Sequence, residues 1–184
     1  MQLRFFLGTG VLFFLLLLTS FTMRKVPLTS DEVDSAWIEM VRTTKKETEY
    51  LSNYIRHLQA FLPTEHELIK KLIEARIELS VLANEGEKLT SDRFAKFNRA
   101  KIKLRSVIDE SVLKINHEKK LLGDKHYELI NKRLQKLQSE ETIKTREYDL
   151  TAAKFNKYLK NFPFNLINKL VFKYSAKPIS FNEI

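Results

Sequence analysis

The chain has 184 residues, 32 Lys and Arg against 23 Asp and Glu, a net charge of +9, four Gly, four Pro and no Cys. Without cysteine it has no disulfide frame, no thiolate metal site and no cysteine for lipid attachment. So few helix breakers imply long helices and short connections, and no stretch alternates apolar and polar residues between turn signals as a strand would.

Phe5 to Met23 is a run of 19 residues without a charge. At about 1.5 Å per residue, a helix of this length crosses a hydrocarbon core about 30 Å thick. The bulk of the run comes from Phe5, Phe6, Leu12, Phe13, Phe14, Leu15, Leu18 and Phe21. A cleaved secretory signal has a shorter apolar core and a small-x-small exit, whereas only Thr19, Ser20 and Thr22 mark this one. A buried core helix would need a polar face, and this run shows none. The expectation is an uncleaved single-pass anchor over 5–23 behind a flank of residues 1–4, placing the protein at the cell membrane. Arg4 on one side and Arg24 with Lys25 on the other nearly tie, so the positive-inside rule assigns the soluble domain to neither side.

Residues 24–30 form a short linker, where Pro27 discourages continuation of the membrane helix. Beyond it the chain has the length of one domain. Residues 1–30 carry Arg4, Arg24 and Lys25 and no acid, so +6 of the +9 remains for that domain. Its charges of both signs interleave, which is the pattern of solvated helices rather than of a nucleic-acid footprint.

Thr29 and Glu32 have capping-box spacing, so a first long helix is predicted over 31–60. Its stripe is Trp37, Met40/Val41, Thr44, Thr48, Leu51, Ile55, Leu58 and Leu62, in steps of three and four. Pro63 opens a second helix, predicted over 64–83 with Leu68/Ile69, Leu72/Ile73, Leu79 and Leu82 inward. Asn84 to Glu87 reads as a loop capped by Gly86. Thr90 starts a third helix, predicted over 90–122, with Phe94, Phe97, Leu104, Ile108, Val112, Ile115 and Leu122 on one face. Gly123 and Asp124 stop that helix and cap the next. The fourth is predicted over 125–161, with Ile130, Leu134, Leu137, Glu141, Tyr148, Phe155, Leu159 and Phe162 inward. Pro163 bends the chain, a short apolar helix follows over 164–174, and 175–184 reads as a flexible tail. Short links make neighbouring helices antiparallel. The expected class is all-α: a transmembrane helix, then an elongated antiparallel bundle of long helices over 31–174.

The motifs within this pattern are familiar. Asp34-Ser35-Ala36-Trp37 opens the domain; Glu49-Tyr50-Leu51-Ser52-Asn53-Tyr54-Ile55 and Leu72-Ile73-Glu74-Ala75-Arg76 follow. Tyr148-Asp149, Phe155-Asn156 and Phe162-Pro163-Phe164-Asn165 close it. Together they resemble the LemA family of bacterial membrane-anchored proteins. That family has a Glu-Ala-Trp-like start, an Asp-Leu-Ile-Pro-Asn-Leu-Val segment, Glu-Ala-Arg, repeated Tyr-Asn pairs and a Phe-Pro-x-Asn tail. The likeness runs along the whole chain, and Trp37 to Arg76 aligns without a gap. The chain departs from the family pattern in places. Ser52 stands where the family has Pro, Lys46 and Glu47 stand where it has paired arginines, and Asp149 replaces the first Asn. Between Ile77 and Glu141 only the helical pattern matches. The resemblance implies a long-helix bundle, a membrane anchor and no established enzymatic activity. It marks Trp37, Asn53, Glu74, Arg76, Tyr148, Asn156, Phe162, Pro163 and Asn165 as motif positions, read as structural.

No constellation for catalysis stands out. His57, His66, His117 and His126 lack metal-ligand spacing and read as solvated surface residues. Glu74 and Arg76, two apart, do not face each other on a helix, so each is expected to pair with another helix. Glu141 on an inner stripe reads as one partner of a helix–helix ion pair or as a slip of the stripe. No cofactor or metal site is expected. Residues 150–181 carry six lysines and no acid, interleaved with aromatics. Lys169, Phe172, Lys173, Tyr174 and Lys177 are therefore candidates for contact with an anionic membrane surface. The expected function is a membrane-anchored scaffold or interaction protein of the bacterial envelope, with an unidentified protein partner or self-association and no nucleic acid. The alternative is a lipid-surface or membrane-remodelling protein.

Overall fold

The computed structural model describes residues 2–61, 67–84, 88–115 and 123–180. Over residues 2–28 it describes the backbone but, apart from Ser20, Lys25 and Pro27, no side chains. The membrane-anchor positions Phe5, Phe6, Leu12, Phe13, Phe14, Leu15, Leu18 and Phe21 thus lie outside the described side chains, and His66 and His117 lie outside the described residues. Every element is helical: α1 (Gln2–Phe61), α2 (Glu67–Asn84), α3 (Ser91–Ile115), α4 (Lys125–Lys160), the one-turn α5 (Phe164–Ile167) and a π-helical turn (Asn168–Phe172).

The first boundary differs from expectation. The break at Pro27 is absent, because α1 runs through it. Proline removes its own N–H from the ladder and crowds the carbonyl four residues back, and complete turns on both sides carry the helix across. Two residues on, the Thr29 hydroxyl donates to the Lys25 carbonyl at 2.9 Å.

The chain divides into two compact units, Trp37–Glu147 and Met1–Ala36 with Tyr148–Ile184. The first is an up-down-up-down bundle of α1 from Trp37 onward, α2, α3 and α4 up to Glu147. Arg76 of α2 reaches Ser52 of α1, and Tyr54 of α1 meets Ser111 of α3. Lys101 of α3 meets Glu141 of α4. Most of the predicted stripes is core: Trp37, Met40, Leu51, Leu58, Leu68, Leu72, Leu79, Phe97, Leu104 and Leu134 are all buried, whereas Ile73, Leu82 and Val112 are half-buried, and Leu62, Leu122 and the Ile115 side chain lie outside the described ones. Trp37 closes one end, with Phe97 edge-on at 5.2 Å and the Arg93 guanidinium 5.6 Å over its ring. The same Arg93 donates to the Leu82 carbonyl in the last turn of α2, a cation answering unpaired carbonyls at a helix C-terminus. The predicted capping box at Thr29 and Glu32 is not a helix start, because both lie inside α1, and the start at Pro63 lies outside the described residues; the caps at Thr90 and Asp124 are found. Thr90 Oγ1 accepts from the Arg93 N–H, and Asp124 Oδ1 accepts from the His126 N–H at 2.8 Å. Gly123 has φ +99°, the left-handed region that glycine enters without cost.

The second unit contains the start of α1, the end of α4, α5, the π turn and an extended segment over 173–180. Val33, Tyr148, Ala152 and Phe155 form its buried centre. The expected flexible tail is corrected as far as Ser180; residues 181–184 lie outside the described ones. The Asn156 carboxamide brackets the Lys177 backbone, donating to its carbonyl at 2.8 Å and accepting from its N–H at 2.7 Å. The Tyr148 hydroxyl donates to the Pro178 carbonyl at 2.7 Å, and the Ser180 N–H donates to Asp149 at 2.8 Å. Asn168 brackets Tyr174 in the same way. An extended segment has no partners in its own backbone, so these side chains take their place.

Asn156→Ala removes both bonds to Lys177, at about 1 kcal/mol each. Its Lys177 amide should exchange with solvent at least about tenfold faster in hydrogen-exchange measurements, while amides of α2 and α3 keep their protection.

Candidate functional site

The C-terminal turn places the predicted surface residues unevenly. Lys169 and Lys173 are exposed, as are Phe162 at 74%, Leu170 at 69%, Leu166 and Val171. Phe172 and Tyr174 are half-buried and stack on each other at 5.7 Å, and Tyr174 also meets Phe155 edge-on. Lys177 is not a free surface cation. Its ammonium pairs with Asp34 at 2.7 Å and lies 6.0 Å over the Phe155 ring. The sequence shows the lysine but not Asp34, which lies 143 positions away in the chain. The turn is thus a short apolar edge with two free-standing lysines beside it. Phe162 was expected on the inner stripe. The helical period ends at Lys160, and past that point nothing holds the residue to the core face.

The motif positions fall into distinct roles. Trp37 is core, and Tyr148 and Asn156 hold the extended segment. Arg76 donates to Ser52 Oγ at 2.8 Å, so the position where the family has proline here accepts a hydrogen bond between helices. Glu74 is exposed. Asn165 accepts from the Leu166 N–H beside it, and Pro163 is half-buried at the turn. Asn53 faces solvent on α1.

Inside the Trp37–Glu147 unit lies a buried polar layer that no motif announces. Glu141 pairs with Lys101 at 2.9 Å and accepts from the Thr145 hydroxyl at 2.7 Å. The Lys101 ammonium also donates to Thr145 at 2.9 Å. Of the two readings of Glu141, the helix–helix ion pair is the one found. Glu47 of α1 is 5% exposed and stands in the same layer. Burial, then the neighbouring Glu141 carboxylate, push its pKa up to about 7, and Arg105, Lys101 and Gln138 only partly oppose this. Thr44 and Thr48 beside it return their hydroxyls to their own helix, to the carbonyls of Met40 and Lys45. An amphipathic count marks Glu47 as polar and therefore outward. Its position one step from Thr48 on the stripe is the signal that could have found it.

The histidine reading needs one correction. His57 is half-buried rather than solvated. Its ring lies 5.0 Å from His126 and its Nε2 lies 3.4 Å from Asp124, because α1 ends where α4 begins. Among the described residues no group of three or more His, Cys, Asp or Glu is arranged to hold a metal ion. Among the residues whose side chains are described, which leave out Phe5–Met23 apart from Ser20, no helix is long and apolar enough to cross a membrane.

Glu47 makes stability depend on pH with a definite sign. An unfolded glutamate ionises near pH 4.5 and this one near 7. Between those values the folded state holds more protons, so stability falls as pH rises and the loss is complete above about 7. The span corresponds to a penalty on the order of 3 kcal/mol. Glu47→Gln should therefore raise the thermal midpoint at pH 8 and change it little at pH 5. An equal shift at both pH values would show that the carboxyl charge is not the cause.

Comparison with known proteins adds one finding at the level of a family. No curated individual protein matches the chain. The profile of the LemA family matches residues 36–181, which takes in the four-helix bundle, the paired Tyr148 and Asn156 positions and the extended segment they hold. The chain belongs to the LemA family.

Proposed function

We propose that this protein is a membrane-anchored helical scaffold, acting by presenting a surface to a protein partner rather than by catalysis. The carrying observation is α1 itself. The uncharged run Phe5–Met23 and the first core helix of the bundle belong to one helix, Gln2–Phe61. A helix that leaves a bilayer and continues into a packed domain tethers that domain at the membrane surface, and that is what a scaffold needs. On this reading the anchor spans 5–23, and an antiparallel bundle of long helices follows it in the bacterial envelope.

A second reading is favoured by the C-terminal turn, which would rest on anionic lipid. Phe162, Leu166, Leu170 and Val171 are exposed together within ten residues, with Lys169 and Lys173 beside them. Apolar side chains flanked by lysines suit the boundary between headgroups and acyl chains, and each lysine near such a surface adds about 1 kcal/mol before salt screening.

The chain has no cysteine, so one can be placed at will. Leu170→Cys, labelled with an environment-sensitive fluorophore and reconstituted as the full chain, should shift to the blue in vesicles with anionic lipid. It should not shift in neutral ones, and Lys169→Glu with Lys173→Glu should abolish the effect. An unchanged spectrum in both vesicles would end the lipid-surface reading and leave the scaffold reading standing. Extraction of the full chain from membranes by alkaline carbonate would end the anchored scaffold.

A further inference from the structure

Along the outer side of the Trp37–Glu147 unit, α1 and α4 leave two adjoining clefts. One, of about 370 Å³, is lined by Tyr50, Asn53, Arg56, His57, His126 and Ile130, with Ala60 at its end. The other, of about 330 Å³, shares Tyr50 and Asn53 and adds Lys46, Glu49, Arg133 and Leu137. From Lys46 to His57 the furrow runs about 16 Å along α1 at the rise of a helix.

Its chemistry is uneven in a useful way. The floor is apolar, formed by Ile130 and Leu137 with Tyr50 at the junction. The rim is cationic: Lys46 and Arg56 come from α1 and Arg133 from α4, all three exposed. Elsewhere on this bundle exposed lysines find acids, as in Lys71–Glu67, Lys96–Asp92, Lys103–Glu78 and Lys144–Glu147. Among the described residues no ion pair engages Lys46, Arg56 or Arg133, although Glu49 lines the same furrow. Asn53 stands where the clefts join and makes no hydrogen bond among the described residues, so its donors and acceptor face the space.

We infer that the α1–α4 furrow receives an acidic peptide segment of a protein partner, its apolar side chains on Ile130 and Leu137 and its carboxylates against Lys46, Arg56 and Arg133. The inference rests on the scaffold reading and gives its partner a chemistry. Charge complementarity selects the acid, because three cations without acid partners favour an anionic occupant and repel a basic one. The apolar floor selects a peptide over a phosphate backbone or a lipid headgroup, since neither would cover it. Asn53 supplies the amide that pairs with a main chain or a side-chain carboxylate.

The test uses the full chain in neutral nanodiscs and an array of 16-residue peptides. All carry leucine at helical spacing, and their net charges run from −6 to +6. Binding should rise with negative charge. Lys46→Glu, Arg56→Glu and Arg133→Glu together should weaken it by roughly tenfold or more. Lys70→Glu, Lys88→Glu and Arg99→Glu, with the same change of charge away from the furrow, should weaken it by less than about twofold, through long-range attraction alone. Asn53→Trp fills the furrow without a change of charge and should also block binding, with circular dichroism checking that each variant keeps its helicity. Equal losses from both charge reversals, or binding that survives Asn53→Trp, would overturn the furrow and leave the scaffold. Acidic peptides with serine for leucine, or inorganic tripolyphosphate, binding as well as the leucine peptides would reduce it to a plain anion site and overturn the peptide. Peptides of no charge class binding would overturn furrow and scaffold together.

Discussion

Lys101 and Glu141 bind α3 to α4 through a buried ion pair, and the placement of everything else in the Trp37–Glu147 unit depends on it. Narrow apolar stripes specify that helices pack but not at which height. Leucine slides past leucine by a turn at little cost, and a polar pair does not. If α4 moved by one turn, Glu141 would leave Lys101 and keep only the Thr145 hydroxyl of its own helix, a buried carboxylate without its cation, at several kcal/mol. The pair therefore sets the register of α4. The same register brings Tyr127 near Tyr54 at 6.3 Å and the Asp124 cap near His57 at the far end.

Glu47 carries the cost of that arrangement. Its burial, and then the Glu141 carboxylate in the same layer, outweigh the opposing Arg105 and Lys101 cations, so it holds its proton into the neutral range. The threonines around it show how the remaining polar atoms are managed. Thr43 and Thr44 return their hydroxyls to carbonyls four residues back, which satisfies them without a partner helix. The layer thus pairs its polar atoms specifically, with Glu47 adjacent to the interaction that joins α3 and α4.

Much of this was legible in the sequence, for a physical reason. Helical period is a local property, and the stripes through Trp37, Leu51, Leu72, Phe97 and Leu134 name the core without reference to anything distant. Caps at Thr90 and Asp124 are equally local. What the sequence hid were pairings across long separations. Lys177 reads as a surface cation until Asp34 is placed beside it, and the segment after Tyr174 reads as a tail until Asn156 brackets it. Composition marks residues 175–180 as irregular, which they are, but irregular backbone held by side chains is as fixed as a helix. The reading of Pro27 as a break failed differently: a rule about single residues met a helix whose other turns outweigh it.

The motif positions separate by the same reasoning into those the fold explains and those, such as Asn53, it does not. Tyr148 and Asn156 have partners in the extended segment, Arg76 has Ser52, and Trp37 has the end of the core. Each would be required of any chain that adopts this architecture, whatever it does. Asn53 is different. Asparagine is a poor helix former, costing about half a kcal/mol relative to alanine in a helix interior. Here it is exposed in the middle of a 60-residue helix, with no cap to form and no neighbour to bond. Its helix propensity and exposure are what make it part of the proposed furrow rather than of the core. It sits at the join of the two clefts, between Lys46 and Arg56, where an arriving chain would meet its amide first.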